Sequence, residues 1–221
     1  ERPEVQVMLE NQLNRSLAKE SDGIYLWLLE HDWGTQSTGE ATIVAALQES
    51  SVGCAYEEVV SSGLERNALN RLIGLGVVGM TAFTPTDAAH VLGVDKRYRA
   101  EPASLGSTLL ARQLDRFGKP LANDGSLFAE LVLKLVSAGI AETILTAAAD
   151  HDGLPVAHLN SALKAQTHAA ARPGRTKFLD ITAEISGTVT AVGAPAVLHQ
   201  DQLGLNLGTE CIVPEHSEVA N

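Results

Sequence analysis

Three glycines at positions 74, 76 and 79 match the G-x-G-x-x-G string of dinucleotide-binding loops. In such loops a strand precedes the glycines and a helix follows them, so that the helix N-terminus meets a pyrophosphate. Here an amphipathic pattern over residues 65–73 predicts a helix before the glycines, and the apolar run 77–83 predicts a strand after them. Because the order is reversed, we interpret the glycines as a helix stop and a turn.

Other catalytic patterns are missing from the sequence. Its seven histidines form no H-E-x-x-H motif, so we expect them to be surface or helix-end residues rather than metal ligands. There is no G-x-S-x-G elbow and no G-x-x-x-x-G-K-[ST] phosphate loop. Cys54 and Cys211 lie far apart without zinc-site spacing, which predicts two free thiols in a reducing compartment. These patterns leave catalytic residues and metal ligands unassigned.

The charge balance argues against two classes of partner. Acidic residues outnumber basic ones by 27 to 16, giving a formal charge of −11, and such a surface repels nucleic acid and anionic lipid. Four cations without an intervening acid, Lys164, Arg172, Arg175 and Lys177, predict a solvated loop rather than a phosphate-binding patch. Charged residues interrupt the apolar stretches before 18 positions, and the first residues lack a signal-peptide core. We expect no membrane span and a cytoplasmic location.

The first part of the chain reads as mainly helical. Apolar residues four apart predict a helix over residues 3–19, and further helices are predicted at 41–48, 56–60 and 65–73. Three helices followed by the strand at 77–83 is the order of a winged-helix module. Acids dominate residues 39–83, so we expect a structural insert that does not bind DNA. A non-catalytic interaction or regulatory domain built on this insert is the alternative function.

The remainder of the chain changes from helical to α/β patterning. Thr84 is predicted to cap a helix that has Pro85 at its first position and Asp87 at its third. Longer helices are predicted at 104–117 and 125–149. The last predicted elements are a strand at 188–192, a glycine turn at 193–196, a helix at 196–207, a strand at 209–213 and the first residues of a helix from 214. This order is typical of an α/β unit.

Three short segments carry a resemblance to a known family. Residues 83–93, FTPTDAAHVLG, are similar to a threonine-aspartate-alanine helix of the hydantoinase/oxoprolinase A family, in a short bacterial branch. Residues 191–196, AVGAPA, and 212–221, IVPEHSEVAN, resemble that family's closing pattern. The resemblance implies an α-rich α/β chain from an actin-like ATPase fold. Its implied segments are an N-terminal helical segment (1–38), a winged-helix-like insert (39–83), a helical region (84–178) and a C-terminal nucleoside-side unit that looks truncated (179–221).

The same resemblance implies a chemistry and a set of residues. Its members use ATP and Mg²⁺ to open cyclic amides such as hydantoin or 5-oxoproline, often with a second hydrolase subunit. It implies nucleoside binding at Gly193, Ala194, Pro195 and Glu215, and a motif of unknown role at Thr86 and Asp87. A turn that needs only a small residue stays open as the simpler interpretation of Gly193.

The family's two phosphate-binding loops do not occur in the sequence. We therefore expect the catalytic residues to lie upstream of Glu1, in a missing N-terminal half of the same polypeptide. On this interpretation the chain alone is inactive and binds neither ATP nor Mg²⁺ tightly.

Overall fold

The computed structural model describes residues 2–29, 33–34, 37–97, 99–168, 182–193 and 195–217. The described chain is a mixed α/β structure rich in helix, which confirms the coarse fold prediction. It divides into two compact units, Glu1–Ala129 and Glu130–Asn221. This division is coarser than the four predicted segments, which stay predictions.

The first unit contains helices around a small antiparallel sheet. Its helices are α1 (Pro3–Leu13), α2 (Thr38–Ser50), α3 (Tyr56–Val59), α4 (Gly63–Gly74), α5 (Pro85–Val91) and α6 (Glu101–Ala111). Its strands are β1 (Tyr25–Leu28), β2 (Cys54–Ala55) and β3 (Val78–Thr81). Strand β1 lies in the centre, with Leu26 opposite Cys54 on one side and Met80 on the other. The three predicted helices and the strand after them are present, and β1 and β2 are strands that the sequence patterns did not predict.

The core of the first unit lies between this sheet and helices α2 and α4. Leu26, Ile43 and Leu72 are completely buried there. Burying one such side chain contributes about 1.5–3 kcal/mol. Helix α4 is also fixed locally, because the Ser62 hydroxyl accepts from the Glu65 amide at 3.3 Å and the Glu65 carboxylate accepts from the Ser62 amide at 2.9 Å. This capping box explains why α4 begins at Gly63, two residues before the predicted start.

The three glycines of the G-x-G-x-x-G string occupy three different environments. Gly74 is the last residue of α4, and Gly76 turns the chain with φ of +73°. Gly79 lies in β3 directly opposite Trp27 of β1, whose indole covers the glycine so closely that a Cβ would lie 2.5 Å from Cζ2. The order of a helix followed by a strand is confirmed, but the interpretation of the glycines as a helix stop and a turn is wrong for Gly79, which lies in the strand.

Helix α1 ends at Leu13, so the prediction that it continues to residue 19 is wrong. The Arg112 guanidinium donates to the carbonyl of Leu13 at 2.8 Å and to that of Arg15 at 2.6 Å. The Asp22 carboxylate, whose side chain is fully buried, accepts from Arg15 Nη1 at 2.8 Å and from the Lys19 amide at 2.7 Å. These bonds satisfy the end of the helix and hold the following residues in a loop.

Helix α6 also differs from its prediction, since it covers Glu101–Ala111 rather than residues 104–117. Beyond it, residues 115–119 form a tight turn, here named the Asp115 turn. The Asp115 carboxylate accepts from the amides of Phe117 at 2.8 Å and Lys119 at 2.9 Å, and Gly118 has φ of +74°. Leu114 is 48% exposed, so its place in the apolar pattern does not reflect a buried helix face.

The second unit contains a β-α-β motif with two parallel strands. Helix α7 (Gly125–His151) begins in the first unit and continues into the second, which also contains α8 (Val156–Thr167), β4 (Val189–Thr190), α9 (Ala196–Leu207) and β5 (Cys211–Ile212). Strands β4 and β5 pair in parallel, with Val189 opposite Cys211, and α9 connects them. The predicted strand, helix and strand are confirmed, although both strands are shorter than predicted.

The segment with four cations, residues 164–177, lies only partly within the described residues. Lys164 lies in helix α8, so the loop predicted there is wrong at this position, whereas Arg172, Arg175 and Lys177 lie outside the described residues. Helix α8 packs in the second core, which contains Leu145, Leu163, Leu203 and Leu207. Burial of Leu163 in this core therefore explains why residue 164 belongs to a helix rather than to a solvated loop.

Helix α7 is long and apolar enough to cross a membrane by length and composition alone. Its most apolar 18-residue window has a mean hydropathy of 1.7, and 22% of that window is buried. The expectation that the chain has no membrane span stays a prediction.

Both cysteines are free thiols, as predicted, and the structure shows in addition that both are buried. Cys54 is 8% exposed in the first unit and Cys211 is 7% exposed in the second. Burial raises the pKa of the Cys54 thiol to about 11, and it also raises the pKa of Cys211. Because the thiolate is the reactive form, neither side chain is a candidate nucleophile at neutral pH.

Candidate functional site

The chain turns sharply at Gly193, three residues after the end of β4, and residues 193, 195 and 196 are here named the Gly193 turn. Gly193 has φ of +105°, a backbone conformation that side chains disfavour. Its amide donates to the Ser217 carbonyl at 2.8 Å, and its carbonyl accepts from the Ala196 amide at 3.0 Å. Of the predicted binding residues, Gly193 and Pro195 lie in this turn, whereas Ala194 is outside the described residues.

A Cβ added to Gly193 would meet only Pro195 Cδ, at 3.8 Å. The backbone conformation, rather than lack of space, therefore explains the glycine.

A second turn follows β5 at residues 214–217, here named the Ser217 turn. The Ser217 amide donates to the Pro214 carbonyl at 3.2 Å, and Ser217 is only 5% exposed. Glu215, the fourth predicted binding residue, is exposed in this turn. Residues 214–217 form a turn, and the last four residues of the predicted helix, 218–221, lie outside the described part of the chain.

The two turns lie side by side because β4 and β5 are parallel. Parallel strands have their carboxyl ends at one edge of the sheet, and the Gly193–Ser217 hydrogen bond joins the turns that leave it. We name these two turns together the carboxyl edge. Helix α9 begins there, with Pro195 at its N-cap and no side chain capping its first amides. Ligands of α/β sheets bind at this kind of edge, next to helix N-termini with partial positive charge.

The other predicted motif, Thr86 and Asp87, lies in the first unit and has a clear structural role. The Thr84 hydroxyl accepts from the Asp87 amide at 3.3 Å, and the Asp87 carboxylate accepts from the Thr84 amide at 2.7 Å. This capping box confirms the predicted start of α5. Thr86 is exposed in the first turn of the helix. The local hydrogen bonds of Asp87 are sufficient to explain its presence.

One buried polar pair next to the carboxyl edge was missed by the sequence analysis. His199, in the second turn of α9, is 5% exposed, and its Nδ1 lies 2.9 Å from the hydroxyl of Ser137 in α7. The expectation that the histidines lie at the surface or at helix ends is therefore wrong for His199. Ser137 donates to the Leu133 carbonyl at 3.0 Å, which leaves its oxygen to accept from Nδ1–H. Burial lowers the pKa of His199, so the neutral imidazole is favoured in the folded unit.

This pair predicts a specific dependence of stability on pH. The folded-state pKa of His199 is below its unfolded value, so its contribution is complete above about pH 6.5 and is lost as pH falls toward the lowered pKa. We expect the free energy of unfolding to fall between pH 7 and pH 5 in part because of His199, by at most about 1.4 kcal/mol per pH unit. The measurement is urea unfolding followed by circular dichroism across this pH range.

The variant His199→Gln removes the titrating ring and keeps a donor for Ser137, so its pH slope should be shallower than that of the wild type. His151→Gln, at an exposed position at the end of α7, is the matched control for the histidine-to-glutamine substitution itself. Equal slopes for wild type and His199→Gln would show that His199 does not titrate on unfolding.

The described residues contain no group of three or more His, Cys, Asp or Glu side chains arranged to hold a metal ion. Comparison with protein-family models, with curated protein sequences and with solved structures gives no match to this chain. A functional assignment therefore depends on the residue patterns and on the geometry of the carboxyl edge.

Proposed function

We propose that this chain contributes the nucleoside side of the ATP cleft in an ATP-dependent hydrolase of the hydantoinase/oxoprolinase type. The proposed fold is the actin-like ATPase fold, and the proposed substrates are cyclic amides such as hydantoin or 5-oxoproline. The similarity of residues 83–93, 191–196 and 212–221 to that family supports the proposal. A cytoplasmic location and a partner hydrolase subunit are part of the same proposal.

The observation that carries the proposal is the joining of the Gly193 turn to the Ser217 turn at one edge of a parallel pair. A ribose or adenine ring placed there would meet backbone atoms and small side chains on one side. The exposed Glu215 carboxylate is available to accept hydrogen bonds from sugar hydroxyls. Side chains of this type bind ribose hydroxyls at the corresponding edge of dinucleotide-binding sheets.

The chemistry of the proposed enzyme is a phosphorylation that makes an amide carbonyl reactive. When bound, ATP would supply a phosphoryl group to the amide carbonyl oxygen, so that water can add to the carbon and the ring C–N bond can break with release of phosphate, and Mg²⁺ would neutralise charge on the transferred group. The residues of the carboxyl edge fit a nucleoside, but no Mg²⁺ ligand is assigned among the described residues. The role of this chain in the proposed reaction is therefore to bind and orient the nucleoside.

We expect adenosine to bind at the carboxyl edge with a millimolar dissociation constant, about −4 kcal/mol, because adenosine has no phosphate groups and can contact the protein only through its ribose and adenine. Adenosine titration of the isotope-labelled chain should shift NMR signals near Gly193 and Glu215. The chain alone should not hydrolyse ATP, because phosphoryl transfer depends on donors aimed at the phosphates. Signals that shift elsewhere, or turnover that Gly193→Val abolishes, would contradict the proposal.

A matched control for Gly193 is available at the other end of β4. Gly187 precedes β4, at its amino end, and like Gly193 it has positive φ, +124°. The variants Gly187→Val and Gly193→Val therefore introduce a similar backbone strain at opposite ends of the strand. Only Gly193→Val should weaken the adenosine-induced shifts, and equal weakening by both variants would indicate loss of folding rather than loss of a binding turn.

A further inference from the structure

The Asp115 turn presents an exposed aromatic side chain on a rigid support. Phe117 is 71% exposed, and the Arg116 guanidinium lies 4.6 Å from the centre of its ring. The turn is held by the two amides that donate to the Asp115 carboxylate. It is also held by backbone bonds from the Asp115 amide to the Lys119 carbonyl at 2.7 Å and from the Gly118 amide to the Asp115 carbonyl at 3.0 Å. Docking this turn would therefore cost little backbone entropy.

The turn is cationic on a strongly acidic chain. Arg116 and Lys119 flank Phe117, and within the described chain neither forms an ion pair shorter than 4 Å. The formal charge of the whole chain is −11. Aromatic and arginine side chains are the residues that most often dominate protein interfaces. The turn is therefore suited to an acidic surface that offers a recess for a phenyl ring.

The second unit offers such a recess between α7 and α8, here named the α7–α8 groove. It has a volume of about 610 Å³, and its lining includes the small or short side chains of Gly139, Thr143, Ala147 and Val156. A Cβ added to Gly139 would meet no atom within 4 Å, so the groove is open at this position.

Two carboxylates, Glu142 and Asp150, also line the groove. Glu142 lies 3.1 Å from His168, whereas the exposed Asp150 carboxylate has no ion pair among the residues that the structure describes. An arginine entering the groove would therefore find Asp150 as an ion-pair partner. The groove combines small apolar side chains with negative charge, which complements Phe117 and Arg116 in both shape and charge.

We propose that the chain associates with a second copy of itself, with the Asp115 turn of one copy in the α7–α8 groove of the other. Phe117 packs over Gly139 and Ala147, and Arg116 pairs with Asp150. The two surfaces differ, so the contact is heterologous and each copy has one free turn and one free groove to offer. A contact formed by one turn is small, which makes the association weak and reversible.

Analytical ultracentrifugation tests whether the chain self-associates through these two surfaces. The weight-average mass of the wild-type chain should rise above the 23.3 kDa monomer as concentration increases from about 10 to about 500 μM, the range expected for a small interface. The variants Arg116→Glu, Phe117→Ser and Asp150→Arg should each stay at the monomer mass. Asp152→Arg makes the same charge change as Asp150→Arg at an exposed position outside the groove lining, and it should associate like the wild type.

A mixture of two variants that each fail to self-associate tests whether the turn of one copy binds the groove of the other. Asp150→Arg retains an intact turn and Arg116→Glu retains an intact groove, so an equimolar mixture should form complexes of twice the monomer mass and nothing larger. Circular dichroism spectra identical to the wild type would show that the variants are folded. A wild type that stays monomeric, variants that associate normally, or a mixture that does not associate would each overturn the proposal.

Discussion

Replacing Gly79 with alanine should lower the free energy of unfolding of the first unit by about 2 kcal/mol, because the new methyl group would overlap the indole of Trp27. The added Cβ would lie 2.5 Å from Cζ2 and 2.6 Å from Nε1 of that ring. The Arg2 guanidinium lies 4.4 Å from the centre of the Trp27 ring and limits the space into which the indole could move. Both tryptophans of the chain, Trp27 and Trp33, belong to the first unit, so urea unfolding followed by tryptophan fluorescence reports on this unit alone.

The same glycine string provides the control for this prediction. Gly74 ends α4 with no atom within 4 Å of an added Cβ, so Gly74→Ala should be neutral or slightly stabilising, by up to about 1 kcal/mol. In the variant Trp27→Leu, adding Gly79→Ala should cost much less than it costs in the wild type, and circular dichroism can follow both. Equal losses for Gly74→Ala and Gly79→Ala would mean that the Trp27 contact does not explain Gly79.

Replacing Asp22 with alanine should lower the free energy of unfolding of the first unit by about 2–3 kcal/mol. The change leaves Arg15 without one of its two carboxylate partners and leaves the Lys19 amide without an acceptor. Breaking a fully buried pair costs about 3–5 kcal/mol, and we expect a smaller loss here because the Arg15 side chain is 33% exposed and keeps Glu57 as a partner. Urea unfolding by tryptophan fluorescence measures the loss.

Two further variants separate charge from hydrogen bonding at Asp22. Asp22→Asn keeps an acceptor for the Lys19 amide and removes the charge, so it should lose less than Asp22→Ala. Lys19→Ala removes an exposed partner of Glu57 and should cost below about 1 kcal/mol. A loss for Lys19→Ala as large as that for Asp22→Ala would show that the surface pair, rather than the buried carboxylate, holds the loop.

The elements that the sequence predicts best are those fixed by neighbouring residues. The starts of α4 and α5 depend on Ser62 with Glu65 and on Thr84 with Asp87, pairs only three positions apart. A local sequence pattern contains all the information needed for such a capping box. The glycine turn at 193 was predictable for the same reason, since its conformation depends on one residue.

The end of α1 could not be predicted because it depends on a distant contact. Arg112 donates to the carbonyl of Leu13, 99 positions earlier in the chain, and this bond has no local sequence signal. Strand β1 was missed for a related reason, because its four residues pair with strands that lie far along the chain. Periodicity detects a buried face but not the partner that stops an element.

At the candidate site the burial of His199 could have been predicted from the sequence, whereas the hydrogen bond to the Ser217 carbonyl could not. His199 follows Ala196 by three positions and precedes Leu203 by four, so helical spacing places it on the buried face of α9. The Ser217 carbonyl that accepts from Gly193 has no such signal, because the bond forms only when β4 and β5 pair in parallel.

The two buried cysteines give each unit its own probe of local opening. Cys54 and Cys211 lie one in each compact unit, and both thiols are protected from water and held in the unreactive protonated form. An alkylating reagent can therefore modify each one only when its unit transiently opens, and mass spectrometry distinguishes the two labelled peptides. The rates of modification would show whether the two units open together or one at a time, without any substitution in the chain.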